Sequence, residues 1–528
     1  MAHDDHLCTR IHGSQYAPDV VGSQRVVREL PPTDTNRARL ITPRDDFVQE
    51  TLVPGPGDLV FTQAAGAFTS YERTLEQTPT VLRETTRYRL VIPWFGWLFA
   101  RPVRRTIARR GTVSPYGVQP WWAPPDRLDP RQALLLGLLA AASMSAAFAN
   151  TLFTQTANYA AKDFDIGKFG QGIGGVIVRV GIVFALPIAF LADRVGRRRM
   201  IVFAAWLAPT ISALGALSPN FAVLVATQSV GRPMGLALDL LVAVAAAEEM
   251  PRNSRAYAIS VLAMASGLGA GVAVMGLPLA GIGTSGWRLV YLLGLVWLVV
   301  AFDLRRRLPE TRRFERPHVT APPLQMSRFA QIALVSFFAN LFVAPASFFQ
   351  NRYLDDVRGL SATAISIFTL ATATPAALGF VIGGRIADVR GRRRLLVVAV
   401  PLSSALLIWS FSVAGAGLWF GAFGAGLLGG VAYPAFAVYR TEMFPTGNRG
   451  RAAGLITAAA LVGGSIGILA TGQLLDRGWS YGTTMTLMAL GQVVAVIIIV
   501  ARYPETAHRD LDELNPEPVS PVDPAATH

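Results

Sequence analysis

The chain has a single cysteine, Cys8, in 528 residues, and only two lysines, Lys162 and Lys168. One thiol excludes an intramolecular disulfide and any metal or redox centre built on cysteines. Charge is scarce too: 16% of residues are Asp, Glu, Lys or Arg, where a soluble domain carries about 25%. Six histidines are scattered without metal-ligand spacing. No glycine-rich phosphate loop of the Walker type occurs, which argues against ATP-driven chemistry. Gly267-x-Gly269-x-Gly271 lies inside an apolar run and reads as helix-packing glycine rather than a dinucleotide loop. No apolar core of a signal peptide appears in the first 30 residues, so the first membrane span is expected to direct insertion itself. No nucleophile–base pair stands out among Cys8, His3, His6 and His12. Neither an enzyme nor a cofactor or metal is expected.

What is abundant is apolar sequence, 52% of the chain, with a mean hydropathy of +0.40. From Arg131 onward twelve apolar segments follow one another, at roughly 132–158, 169–192, 200–217, 221–246, 256–282, 287–304, 328–350, 361–386, 395–415, 417–440, 452–475 and 480–502. A helix needs about 20 residues to cross a bilayer, and without water for the backbone such segments must be helical. The net charge of +14 does not mark a nucleic-acid surface, because the arginines border the apolar runs. Arg194, Arg197–Arg199, Arg252, Arg255, Arg305–Arg307, Arg390, Arg392–Arg394, Arg449 and Arg451 fall in alternate connections. Lys162, Lys168, Arg288, Arg352, Arg358 and Arg477 are left for the other side. The positive-inside rule then puts both termini in the cytoplasm and the chain in the inner (plasma) membrane.

Several short motifs occur twice. Asp193-Arg-Val-Gly196-Arg197-Arg198 returns as Asp388-Val-Arg-Gly391-Arg392-Arg393, and Glu248-x-x-Pro251-x-x-x-Arg255 as Glu442-x-x-Pro445-x-x-x-Arg449. Pro309-Glu310-Thr311 returns as Pro504-Glu505-Thr506, and Gly286-Trp287 has a weaker echo in Gly478-Trp479. The offsets are 194 or 195 residues, or 192 for the last pair. Such recurrence marks a duplicated unit, the internal repeat found in many secondary transporters. The reading is an all-α membrane protein: a six-helix bundle at 131–304, a cytoplasmic linker at 305–327, a second, pseudo-symmetric six-helix bundle at 328–506 and a disordered tail at 507–528.

The Asp-Arg-x-Gly-Arg-Arg loop between spans 2 and 3, with its copy between spans 8 and 9, resembles the signature loop of the major facilitator superfamily. The Glu-x-x-Pro-x-x-x-Arg and Pro-Glu-Thr elements resemble its sugar-porter and metabolite–proton symporter branch. The resemblance covers about 131–510 and implies twelve helices around a central cavity, transport of a small solute, and coupling to protons. It also implies a cytoplasmic latch made of Asp193, Arg197, Arg198, Glu248 and Arg255, and of Asp388, Arg392, Arg393, Glu442 and Arg449. Ala189 stands where the family has glycine and Val389 where it usually has a basic residue, so the second copy is expected to latch more loosely. Span 5 lacks the Gly-Pro-x-x-Gly-Gly run of drug antiporters, and span 7 lacks the paired glutamines of true sugar porters.

Charges inside spans are few, and each costs about 2.5–3.5 kcal/mol on insertion scales. Arg179 in span 2 and Arg232 and Asp239 in span 4 are the clear cases. Arg232 and Asp239 are two helical turns apart and so share a face. Asp239 is the candidate proton carrier, with Arg232 and Arg179 beside it; the competing reading makes it their structural counterion. Asn150, Gln155 and Asn158 in span 1, Asn340 and Gln350 in span 7, and Tyr433, which the repeat sets opposite Asp239, are candidate solute contacts or interhelical glue. The expected function is proton-coupled uptake of a small polar organic solute by a monomer in the lipid bilayer. Proton-antiport efflux of a drug or metabolite is the alternative.

Residues 1–130 form a cytoplasmic extension with no segment long enough to span. Strand-like stretches at 46–90, punctuated by Gly55-Pro56-Gly57, suggest a small α+β module. Pro93-Trp94-Phe95-Gly96-Trp97-Leu98-Phe99, followed by arginines, has the composition of an interfacial segment. A rival reading makes this extension a ligand-binding domain tethered to a degenerate transporter.

Overall fold

The computed structural model describes residues 23–54, 58–109, 119–120, 122–124, 126–181, 185–251, 254–310, 325–444 and 449–505. Some side chains near the signature loops, those of Asp193, Arg255, Asp388, Glu442 and Arg449 among them, lie outside the described set, as does the Gly55-Pro56-Gly57 turn. Among the described residues eleven helices are long and apolar enough to cross a membrane. The remaining span, the second, is described as Lys168–Val180 and Ala185–Val195, on either side of residues 182–184, which lie outside the described set. Span 1 is Pro130–Asp163, span 3 Arg197–Leu214, span 4 Phe221–Glu249, span 5 Arg255–Met275 and span 6 Trp287–Arg307. Span 7 is Met326–Asp356, span 8 Ala362–Ala373 with Pro375–Arg390, span 9 Arg392–Ser410, span 10 Ala416–Glu442, span 11 Arg449–Asp476 and span 12 Tyr481–Arg502.

The duplication is visible in the packing. Span 1 lies along span 5 as span 7 lies along span 11, and span 3 lies along span 4 as span 9 lies along span 10. Small residues permit the closest of these approaches. A Cβ on Gly269 would collide with the Met144 backbone of span 1, and Cβ atoms on Gly463 and Gly467 with Phe337 and Leu341 of span 7. With lipid rather than water outside, dispersion between tightly packed backbones replaces the hydrophobic drive. Large apolar side chains such as Met264, Leu268, Val398 and Phe420 accordingly face outward.

The extension contains a five-stranded antiparallel sheet, ordered β1 (Gln24–Leu30), β5 (Leu82–Leu90), β4 (Phe68–Gln77), β3 (Leu59–Ala65), β2 (Gln49–Val53). Helix α1 (Asp34–Ile41) connects β1 to β2, and α2 (Gly96–Ala108) follows β5. A buried ion pair organises the sheet: Arg73 Nη2 meets Glu50 Oε2 at 2.7 Å, with the side chains 1% and 0% exposed. Glu50 also accepts from Tyr71 Oη at 2.6 Å and from the Arg44 N–H at 2.7 Å. Val103 and Ile107 turn one side of α2 into the module, while Trp97, 75% exposed, Leu98 and Arg101 face out. The segment expected to be interfacial therefore also closes the module's core. Trp122 packs against Phe47 and Phe99 of the module.

The module rests on the signature-loop end of the first bundle. Trp94 Nε1 donates to Asp303 of span 6 at 2.9 Å, and Tyr257 Oη of span 5 to the Trp122 carbonyl at 3.1 Å.

Candidate functional site

Three layers of polar groups run along the long axis of the two bundles. The first is at the signature loops. Gly196 (φ 106°) and Gly391 (φ 100°) turn span 2 into span 3 and span 8 into span 9, a backbone conformation that only glycine adopts freely. Each turn starts a helix whose first N–H groups have no partner within the helix. In both repeats the glutamate of Pro-Glu-Thr supplies one. Glu310 accepts from the Arg198 N–H at 3.0 Å, and Glu505 from the Arg392 and Arg393 N–H groups at 2.8 and 3.1 Å. A carboxylate there also faces the positive end of the helix dipole. The repeat made the two motifs legible as a pair; their meeting, more than a hundred residues apart in sequence, is a tertiary fact.

Arg197 pairs with Glu248, tying the start of span 3 to the end of span 4, and both side chains are 14% exposed. The Arg198 guanidinium reaches the Leu308 and Arg305 carbonyls at 2.6 and 3.0 Å, and Arg393 reaches the Val500 carbonyl. Of the ten residues expected in the latch, Arg197, Arg198, Glu248, Arg392 and Arg393 thus meet within their own bundles.

The second layer lies within the spans. Asp239 Oδ1 accepts from Ser143 Oγ of span 1 at 3.0 Å and from Ser266 Oγ of span 5 at 3.5 Å, and the two hydroxyls lie 2.7 Å apart. Among the described residues neither Arg179 nor Arg232 pairs with Asp239, so the counterion reading finds no ion pair to support it. Ser143 and Ser266 were not anticipated from sequence, since serines in a span carry no signal unless their partner is known. Asn150 lies against Gly235 of span 4, where an added Cβ would come within 2.9 Å of Asn150 Oδ1. Asn340 donates to its own helix at the Ser336 carbonyl, 3.1 Å away. Gln350 is half-buried. Tyr433 is 60% exposed with its ring 5.1 Å from that of Phe380.

The third layer joins the bundles at the end opposite the signature loops. Asn351 Nδ2 donates to Gln155 Oε1 at 2.9 Å and to the Gln155 carbonyl at 2.8 Å. Arg352 Nη1 donates to Gln171 Oε1 at 2.7 Å, and Lys162 Nζ meets Asp355 and Asp356 at 2.7 and 2.8 Å. Asp476 caps the start of span 2, accepting from the Lys168 and Phe169 N–H groups at 3.1 and 2.7 Å. Asn158 Nδ2 lies 3.5 Å from Asp355. Gln155 and Asn158, read from sequence as solute contacts or interhelical glue, are here engaged across the seam. Sequence offered a hint in Lys162, one of only two lysines, and in the adjacent pair Asp355-Asp356, but not their partnership.

Two helical repeats, joined at one end and enclosing buried polar groups, have the architecture of a membrane transport protein. The profile of the Major Facilitator Superfamily matches residues 133–362 and 329–525. The chain belongs to that superfamily, whose members are transporters and not enzymes. The match does not include the N-terminal module. No protein of curated function matches the chain. Among solved structures, the chain resembles the inward-open xylose transporter XylE from E. coli, with a TM-score of 0.61 at 15% identity over 72% of this chain and 98% of that one. It also resembles a bacterial homologue of the human lysosomal transporter Spinster, inward-facing and occupied, with a TM-score of 0.59 at 18% identity over 71% and 97%. A third is a point mutant of the nucleoside transporter NupG, with a TM-score of 0.58 at 13% identity over 70% and 100%. At such identities the likeness speaks for the fold alone.

Proposed function

We propose that the protein takes up a small polar organic solute by alternating access, driven by protons that bind and leave Asp239. The observation that carries the reading is the company Asp239 keeps. Its near donors are two serine hydroxyls rather than an arginine. A hydroxyl donates to a carboxylate and accepts from a carboxylic acid, so the same geometry satisfies both protonation states. Gaining or losing a proton then breaks no ion pair.

The positive-inside pattern supports a plasma-membrane orientation with both termini in the cytoplasm. The described contacts between bundles cluster at the end facing away from it, as in an inward-facing carrier. In this reading Asp193, Arg197, Arg198, Glu248 and Arg255, with Asp388, Arg392, Arg393, Glu442 and Arg449, form the cytoplasmic latch that engages when the molecule rocks the other way.

The test is flux in proteoliposomes under an imposed proton gradient, with a panel of organic solutes. Asp239→Asn is expected to abolish accumulation and to leave exchange of solute down its own gradient. A variant that still concentrates solute with an inward proton gradient removes Asp239 from the coupling. Net release of solute under that gradient replaces uptake by antiport efflux.

A further inference from the structure

Arg179 and Arg232 flank a close contact between two parallel helices. Arg179 lies eleven residues past Lys168, the first residue of its helix, which at 1.5 Å per residue is about 17 Å from the far end, near the middle of a hydrocarbon core about 30 Å thick. Two residues further on, a Cβ on Gly181 would come within 2.5 Å of the Ser229 carbonyl and 3.2 Å of Pro233 Cγ of span 4, the residue next to Arg232. Arg179 also reaches the second bundle, because a Cβ on Gly464 of span 11 would collide with its Nη1.

Among the described residues no carboxylate pairs with either arginine. Arg179 Nη1 and Arg232 Nε are buried with no hydrogen-bond partner among the described residues, and Asn150 Oδ1 beside span 4 is likewise unpartnered. The near carboxylate, Asp239, is occupied by Ser143 and Ser266. Two buried like charges without an anion are an arrangement that a protein retains only with something to place between them. Guanidinium forks match the planar oxygens of carboxylates and the oxygens of phosphates.

We propose that Arg179 and Arg232 form an anion site, and that the transported solute is an organic anion whose carboxylate or phosphate docks between them. Arg179, reaching to Gly464, brings that anion into contact with both bundles, which is what a solute must touch to make their relative motion depend on it. The inference rests on the carrier reading above and names its substrate class.

The test is equilibrium binding, so that it does not depend on flux. Purified full-length protein in neutral detergent is melted with inorganic phosphate, glycerol 3-phosphate or succinate, with glycerol as the neutral control. A separate arm uses lysophosphatidylglycerol. Stabilisation by the soluble anions assigns a free solute, and stabilisation by the lysolipid alone assigns a lipid headgroup; both support the anion site. Arg179→Gln and Arg232→Gln are each expected to weaken that binding at least tenfold, while the Lys variants lose less. Without ligand the Gln variants should melt no lower than the wild type, since an uncompensated charge has been removed. Equal stabilisation of wild type and Gln variants, or stabilisation by none of the anions, overturns the proposal. So does a lower ligand-free melting temperature with binding undiminished, which makes the arginines structural. If anion binding survives but no solute is ever carried, the carrier reading fails and the anion site stands.

Discussion

Opening the far-end seam should shift the conformational equilibrium, and its residues should not contribute equally. Arg352 should matter more than Lys162. Its side chain is 10% exposed, and its Nη1 makes a 2.7 Å bond across the seam to Gln171, with the Ile166 carbonyl at 3.3 Å. A hydrogen bond from a charged donor in such a setting contributes about 1.5–3 kcal/mol. Taking about 2 kcal/mol as the loss in Arg352→Gln, the ratio of seam-open to seam-closed molecules rises roughly 30-fold at 1.4 kcal/mol per decade. Lys162 meets two carboxylates at 2.7 and 2.8 Å, but its side chain is 41% exposed. An exposed ion pair contributes about 0.2–1 kcal/mol, so Lys162→Gln should move the ratio only about 1.4- to fivefold. The assay is the distance between spin labels at Leu217 and Val357, both exposed at that end, in a Cys8→Ser background. The distribution should gain a long-distance population in Arg352→Gln and little in Lys162→Gln. An equal or larger change for Lys162→Gln would refute the ranking, because exposure would then not be what discounts its charge.

Glu505 caps the start of span 9 and Glu310 the start of span 3. With a cap worth about 0.5–2 kcal/mol, Glu505→Ala and Glu310→Ala should each lower the melting temperature, as a thermal melt in detergent will register. In the module, burial pushes the Tyr88 phenol from 10.0 up to about 12. The folded state therefore keeps a proton that the unfolded chain loses, and module stability should hold up to about pH 10 and fall between 10 and 12, which hydrogen exchange of β4 and β5 will show. Burial raises Tyr71 further, in the same direction. If the signature loops latch as proposed, Asp193→Asn should reduce transport strongly at unchanged expression. Asp388→Asn should reduce it less, because Val389 replaces the basic residue of the first copy; wild-type flux in both removes the latch.

Much of the architecture was legible in one dimension because a bilayer enforces it. Apolar length marks each span. The recurrence of Asp193 at Asp388 and Glu248 at Glu442 exposes the duplication without knowledge of any contact. The module was less legible: alternation announced β3 and β5, while β1 lies in a stretch that reads only as polar.

The polar chemistry divides along the same line. A charge inside a span stands out by its insertion cost, so Arg179, Arg232 and Asp239 were identifiable from sequence alone. Their relations were not. Whether Asp239 meets an arginine or two serines depends on how span 4 rotates against spans 1 and 5, and glycines such as Gly235 and Gly269 set that by allowing close approach. Gln155 and Asn158 have the same composition whether they line a cavity or close a seam; the packing of span 1 beside span 7 decides it. Insertion energy acts on each residue separately and so is written along the chain. Pairing energy acts between residues far apart in sequence, and exists only once the helices have packed.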